Sequence, residues 1–164
     1  MVKFLDLQAI TQLHAQAYKE AAARVIDSGW FLQGNETLRF EKNYAQYIGT
    51  TECVGTANGL DALRLIIRGY KELGRLTEGD EIVVPANTYI ATFLAITDNG
   101  LVPVPVEPTF DNLELDTERI EAALTPRTKG IMTVHLYGRV AYNEMLDEIC
   151  RKHRLLLMED CAQS

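Results

Sequence analysis

The sequence predicts an α/β fold in which a mainly parallel sheet is covered by helices on both faces and preceded by N-terminal helices. Three observations predict it. Apolar runs of strand length alternate with segments of helical periodicity from about Thr51 to the end of the chain. Those runs are continuous rather than alternately apolar and polar, the pattern of strands buried on both faces. Two helical segments come before the first run, so they are expected to pack outside the sheet or against a partner subunit.

The elements follow in order. From Leu7 to Ile26 the apolar positions Leu7, Ile10, Leu13, Ala17, Tyr18, Ala21 and Val25 recur at helical spacing, and Ser28-Gly29 ends that helix. Trp30-Phe31-Leu32-Gln33-Gly34 is an aromatic loop. Asn35, with Glu36 behind it, is expected to cap a second helix that reaches about Ile48. Cys53 to Ala57 reads as a strand, Leu60 to Leu73 as a helix, Glu81 to Val84 as a strand closed by Pro85, and Thr88 to Thr97 as a helix. Val102-Pro103-Val104-Pro105-Val106 is extended, and its prolines, which lack ladder donors, suggest an edge or irregular strand. Asp116 can cap a helix through Leu124. Ile131 to His135 is a strand, Tyr142 to His153 a helix, and Leu155 to Met158 the last strand.

Composition excludes several functions. A net charge of −7 over 164 residues argues against a nucleic-acid binder, because domains that track a phosphate backbone are usually basic. It leaves room for a small phosphorylated ligand, since a few backbone amides hold one phosphate. The three cysteines, Cys53, Cys150 and Cys161, form no CxxC pair, so neither a zinc site nor a disulfide framework is expected. No apolar run is long enough to span a bilayer. A cytoplasmic protein with no metal is the expectation.

Four segments can carry chemistry. The turn Gly55-Thr56-Ala57-Asn58-Gly59-Leu60 sits between a strand and a helix, where Asn58 can cap and the amides of Gly59 and Leu60 can meet an anion. It matches neither GxGxxG nor a P-loop, and such turns are often purely structural. Tyr89, in Pro85-Ala86-Asn87-Thr88-Tyr89, can lay its ring over a planar ligand or serve as an ordinary core tyrosine. His135 can act as a general base or be satisfied in the core by a backbone carbonyl. Asp160 follows the last strand, at the sheet end where α/β folds bind ligands. There it can pair with the nitrogen of a pyridine ring, with Gln163 facing a ring hydroxyl, or it can simply cap a turn.

Taken together, Gly59-Leu60-Asp61-Ala62-Leu63, Gly79 to Thr92, His135-Leu136-Tyr137-Gly138 and Glu159-Asp160-Cys161-Ala162-Gln163 resemble the DegT/DnrJ/StrS family of sugar aminotransferases. The similarity runs from about Asp6 to the end, with the four motifs in the family's order. It implies the aspartate-aminotransferase-like large domain of fold type I and pyridoxal 5′-phosphate as cofactor. The domain expectation is residues 1–34 as N-terminal helix and aromatic loop, and 35–164 as the front part of the cofactor-binding domain, ending before the Schiff-base lysine segment. The resemblance implies that the Asn58-Gly59-Leu60 turn cradles the cofactor phosphate. It further implies that Tyr89 stacks on the ring, Asp160 pairs with its nitrogen and Gln163 contacts its hydroxyl. Phe31 is a weaker candidate, near the sugar-nucleotide site. Arg139 stands where the family usually has Gln.

The implied activity is transfer of an amino group from L-glutamate to a nucleotide-linked keto-deoxysugar, with a dTDP-3-keto-6-deoxyhexose as one candidate, by a homodimer. The lysines present are Lys3, Lys19, Lys42, Lys71, Lys129 and Lys152, and none matches the family's Schiff-base context. The 164 residues alone are therefore expected to be inactive. Two alternatives stand beside this reading: a dehydratase of the same family, in which histidine replaces that lysine, and a non-catalytic or regulatory relative.

Overall fold

The structure is a computed structural model that describes residues 3–164. Met1 and Val2, the start of the segment expected over 1–34, lie outside the described residues. The chain forms two compact units, Met1–Gly55 and Thr56–Ser164. The division falls at Gly55 rather than at 34/35 because the second long helix stays with the first. Arg24 grips Glu36 through a two-point fork (Nε to Oε1 2.7 Å, Nη2 to Oε2 3.1 Å), and the Glu41 carboxylate accepts from the Gly55 amide at 2.6 Å.

The first unit is helical: α1 (Leu7–Gln12), α2 (Ala15–Ser28) and α3 (Asn35–Ile48). The single helix expected from Leu7 to Ile26 is broken at Leu13–His14, where the amides turn to carbonyls three residues back and His14 leaves helical φ/ψ at −127°/18°. Apolar periodicity continues across that break and therefore does not reveal it. Gly34, not Asn35, is the N-cap of α3, and Asn35 is the first helical residue. Gly29 (φ 66°) and Gly49 (φ 80°) end α2 and α3 in the left-handed conformation that glycine adopts without a Cβ penalty.

The second unit carries a four-stranded parallel sheet in the order β2-β1-β3-β4. Its elements are α4 (Gly59–Glu72), β1 (Glu81–Pro85), α5 (Ile90–Thr97), β2 (Val102–Val106), α6 (Thr117–Ala123), β3 (Thr128–Val134), α7 (Glu144–His153) and β4 (Leu156–Asp160). The edge position of β2 suits its prolines. Val102 N–H donates inward to Asp80 O at 2.9 Å, so Pro103 and Pro105, of opposite parity, lack donors only on the outer side. The strand expected over Cys53 to Ala57 does not form, and the Gly55 amide is spent on Glu41 instead of a ladder. At the other end β4 runs two residues past the expected Met158 and includes Asp160.

Strand parity divides the core in two. Ile82, Val84, Met132, Leu156 and Met158 face α4 and α5, where Leu63, Ile67, Ala95 and Ile96 meet them. Val83 and Ile131 face α6 and α7, against Ile120, Leu146 and Ile149. Both faces are thus dry, which is why the strands read as continuous apolar runs. Among the described residues, no helix is long and apolar enough to cross a membrane.

Candidate functional site

β4 places two adjacent carboxylates on opposite faces of the sheet, because side chains alternate along a strand. Asp160 shares parity with Leu156 and Met158, so it points to the α4/α5 side, where it is only 8% exposed. Thr92 on α5, fully buried, donates its hydroxyl hydrogen to Asp160 Oδ2 at 2.9 Å. The Ala162 amide donates to Oδ1 at 3.1 Å. Both oxygens accept, the arrangement suited to an ionised carboxyl group.

Asp160 lies on the wall of a cavity of about 370 Å³, within the size range of small-ligand sites. Asn58, Gly59, Leu60, Tyr89 and Gln163 line the same cavity. The structure therefore brings together all six residues singled out as cofactor-binding candidates from the sequence. At one end is the N-terminus of the fourteen-residue α4. Asn58 caps it, accepting from the Asp61 amide at 2.9 Å, while the amides of Gly59 and Leu60 precede Ala62, the first amide to donate within the helix, and are left for an anion. A Cβ placed on Gly59 would meet nothing within 4 Å, so the space before this turn is open. The acidic Asp61 in this first turn is offset by Arg64, whose Nη1 lies 3.1 Å from its carboxylate.

Tyr89 immediately precedes α5 and is 74% exposed, so its ring is free to cover a flat ligand. Gln163 has its carbonyl oxygen committed: Oε1 accepts from the Tyr137 amide at 2.7 Å. That contact fixes the amide's orientation and leaves its NH2 to donate to a ligand. The turn that makes this contact is unusual, with Tyr137 (φ 57°) and Gly138 (φ 76°) both left-handed after β3. An aromatic ring, amides for an anion, a paired carboxylate and one amide NH2 fit a phosphorylated pyridine such as pyridoxal phosphate.

Two residues of this site were not singled out from the sequence. Thr92 and Thr88 form a short chain beneath Asp160, with their hydroxyl oxygens 2.8 Å apart. The available signal was a hydroxyl in the middle of the apolar run Ile90-Ala91-Thr92-Phe93-Leu94-Ala95-Ile96, which needs a buried partner.

His135 takes the structural alternative, with a different partner from the carbonyl expected. Its Nδ1 accepts from the Ala141 amide at 3.0 Å, so a neutral ring carries its hydrogen on Nε2, 2.9 Å from Glu159 Oε2. It lines a second cavity, of about 430 Å³, on the other face with Glu159 and Cys161. Ligand atoms of these three residues lie within 4.8 Å of one another. A ligating histidine needs its other nitrogen as a donor, and here that nitrogen is an acceptor, so the ring is set against metal binding. Phe31 lines a cavity of about 540 Å³ within the first unit, beside Arg24, Trp30 and Glu36.

Comparison with known proteins adds the family context. A model of the DegT/DnrJ/EryC1/StrS aminotransferase family matches residues 12–164. The dTDP-3-amino-3,6-dideoxy-alpha-D-galactopyranose transaminase of Aneurinibacillus thermoaerophilus is 47% identical over 164 residues, which are 100% of this chain and 44% of the relative. Among solved structures, DesV of S. venezuelae superposes with a TM-score of 0.92 at 45% identity, covering 99% of this chain and 43% of that one. NtdA from Bacillus subtilis, with bound cofactor PMP, superposes with a TM-score of 0.86 at 32% identity, covering 97% and 36%. The chain spans less than half the length of the relatives it matches.

Proposed function

The chain belongs to the DegT/DnrJ/EryC1/StrS aminotransferase family, and from that premise we propose that the complete protein is a pyridoxal-phosphate-dependent sugar aminotransferase. It moves an amino group from L-glutamate onto the keto group of a nucleotide-linked deoxysugar. The substrate we assign is a dTDP-linked 3-keto-6-deoxyhexose, on the strength of the 47% identical relative. One observation carries the reading: a single cavity has a helix N-terminus at Asn58-Gly59-Leu60 and a doubly hydrogen-bonded carboxylate at Asp160.

Pyridoxal phosphate supplies the electron sink that the protein's side chains lack. The residues of this chain hold and tune it. The amides of Gly59 and Leu60 bind the phosphate at the positive end of α4. Asp160 keeps a proton on the ring nitrogen, Tyr89 covers the ring, and Gln163 donates its NH2 to the ring oxygen. In the other unit Phe31 is assigned to the sugar nucleotide.

The amine that this chemistry needs is assigned outside the chain. Lys71 donates to Asn99 O, Lys129 to Pro126 O and Lys152 to Glu121, and none of the three lines the Asp160 cavity. Residues 1–164 alone are thus expected not to transaminate. A homodimer in the cytoplasm completes the reading, and the three unpaired cysteines suit a reducing compartment.

The test is to incubate the complete protein with L-glutamate and a dTDP-linked 3-keto-6-deoxyhexose. The expected products, by mass spectrometry, are 2-oxoglutarate and the amino sugar. Absence of both would overturn the reading, and turnover by residues 1–164 alone would overturn the lysine assignment.

A further inference from the structure

We propose that Thr92 and Thr88 are positioning residues that act through Asp160: a directed hydroxyl chain, Thr88 to Thr92 to Asp160, fixes the carboxylate that faces the cofactor ring. This rests on the reading of Asp160 as the ring-nitrogen partner, and it assigns a role to two residues outside that reading.

The direction of the chain follows from hydrogen counting. A threonine hydroxyl has one hydrogen, and that of Thr92 goes to Asp160 Oδ2 at 2.9 Å. In the 2.8 Å contact between the two threonines, Thr92 Oγ1 is therefore the acceptor and Thr88 the donor. Each link polarises the next, so the second threonine strengthens the bond that reaches the carboxylate.

Geometry shows what this chain does. Asp160 ends β4, and its backbone carbonyl is held by the His135 amide at 3.1 Å. The Ala162 amide holds Oδ1 and Thr92 holds Oδ2, so the carboxylate plane is clamped at both oxygens. Thr92 is fully buried on α5, and Thr88 lies at the cavity wall beside Tyr89. The helix that Tyr89 caps thus also orients the carboxylate assigned to the ring nitrogen. An unclamped Asp160 could turn about its side-chain bonds and would hold the ring proton less firmly. A purely structural threonine buried on a helix usually returns its hydroxyl to a carbonyl of the preceding turn. Thr92 spends its hydrogen on a carboxylate instead.

The experiment uses the complete protein loaded with pyridoxal phosphate labelled with nitrogen-15 in the ring, whose NMR signal separates the protonated from the unprotonated nitrogen. Thr92→Val keeps the shape and removes the hydroxyl. The midpoint for losing the ring proton is expected to fall by about one pH unit, a roughly tenfold weaker hold, the size of one hydrogen bond to a charged group. Thr92→Ser should restore the wild-type midpoint, and Thr88→Val should lower it by less. A wild-type midpoint in Thr92→Val, with Asp160→Asn losing the protonated signal, overturns the proposal and leaves the role of Asp160 intact. A protonated signal that survives Asp160→Asn overturns that role and the proposal with it. Should Thr92→Val fail to fold, Thr88→Val decides, and an unchanged midpoint there counts against the chain.

Discussion

Glu159 and Asp160 are neighbours in the chain and face opposite sides of the sheet: Glu159 Oε2 lies 2.9 Å from His135 Nε2, and Asp160 Oδ2 lies 2.9 Å from Thr92 Oγ1. The alternation of a strand separates them completely. One carboxylate anchors a buried histidine on the α6/α7 face, and the other serves the cavity on the α4/α5 face. Four further expectations follow from contacts of this kind.

Asn58 has a structural duty besides its proposed one. Its side chain caps α4 through the Asp61 amide, so Asn58→Ala should cost about 0.5–2 kcal/mol of stability, whereas Asn58→Ser should keep most of it. Urea melts of the two variants check this. Equal midpoints would remove the cap from the account.

Glu81 makes stability depend on acid. The Thr125 hydroxyl, then Arg127 and Thr128, hold its carboxyl below the usual range against the opposing effect of burial. A depressed folded pKa adds stability that is present above the unfolded value of about 4.3 and is lost as pH falls through the folded value. Glu81→Gln should therefore melt lower at pH 7, by about 1–3 kcal/mol, and converge on wild type in acid. A difference that persists unchanged at pH 2 would contradict the assignment.

Glu114 has the opposite sign. It is buried, neither oxygen finds a partner among the described residues, and burial raises its pKa against the pull of His135 and Arg139. The charged form is penalised at neutral pH, and the penalty lifts as pH falls through the raised value toward about 4.3. Glu114→Met should stabilise the protein by about 1–3 kcal/mol at pH 7 and by little near pH 4. A lower melting temperature at pH 7 would show that the carboxylate has a favourable partner.

Arg154 follows α7 in the left-handed conformation at φ 54°, ψ 41°. That backbone costs a non-glycine residue about 1 kcal/mol, so Arg154→Gly should raise stability by about 0.5–1 kcal/mol. Thermal melts measure it, and a loss would mean that the arginine side chain matters more than the backbone.

Much of this was legible in local sequence because local physics sets it. The runs Ile82 to Val84 and Ile131 to Val134 specify buried strands, Asp116 and Asn58 cap the helices that follow them, and the prolines at 103 and 105 suggest an edge or irregular strand, of which the sheet order shows the edge. The order of the small turn, Tyr89, His135 and Asp160 points to the family, and all six cofactor-binding candidates from the sequence share one cavity.

Other features depend on partners that are distant in the chain. The segment from Cys53 to Ala57 stays out of the sheet because the Gly55 amide meets Glu41, fourteen residues away. The break at Leu13–His14, by contrast, is local and was hidden because apolar spacing runs on across it. The sequence by itself determined which residue types stand at the carboxyl end of the sheet. Only the tertiary structure decided which face each one serves, because the parity of β4 is meaningful only once β3, α5 and α7 are packed around it. That packing sends Asp160 to Thr92 and Glu159 to His135, and it turns Gln163 so that its oxygen meets the Tyr137 amide.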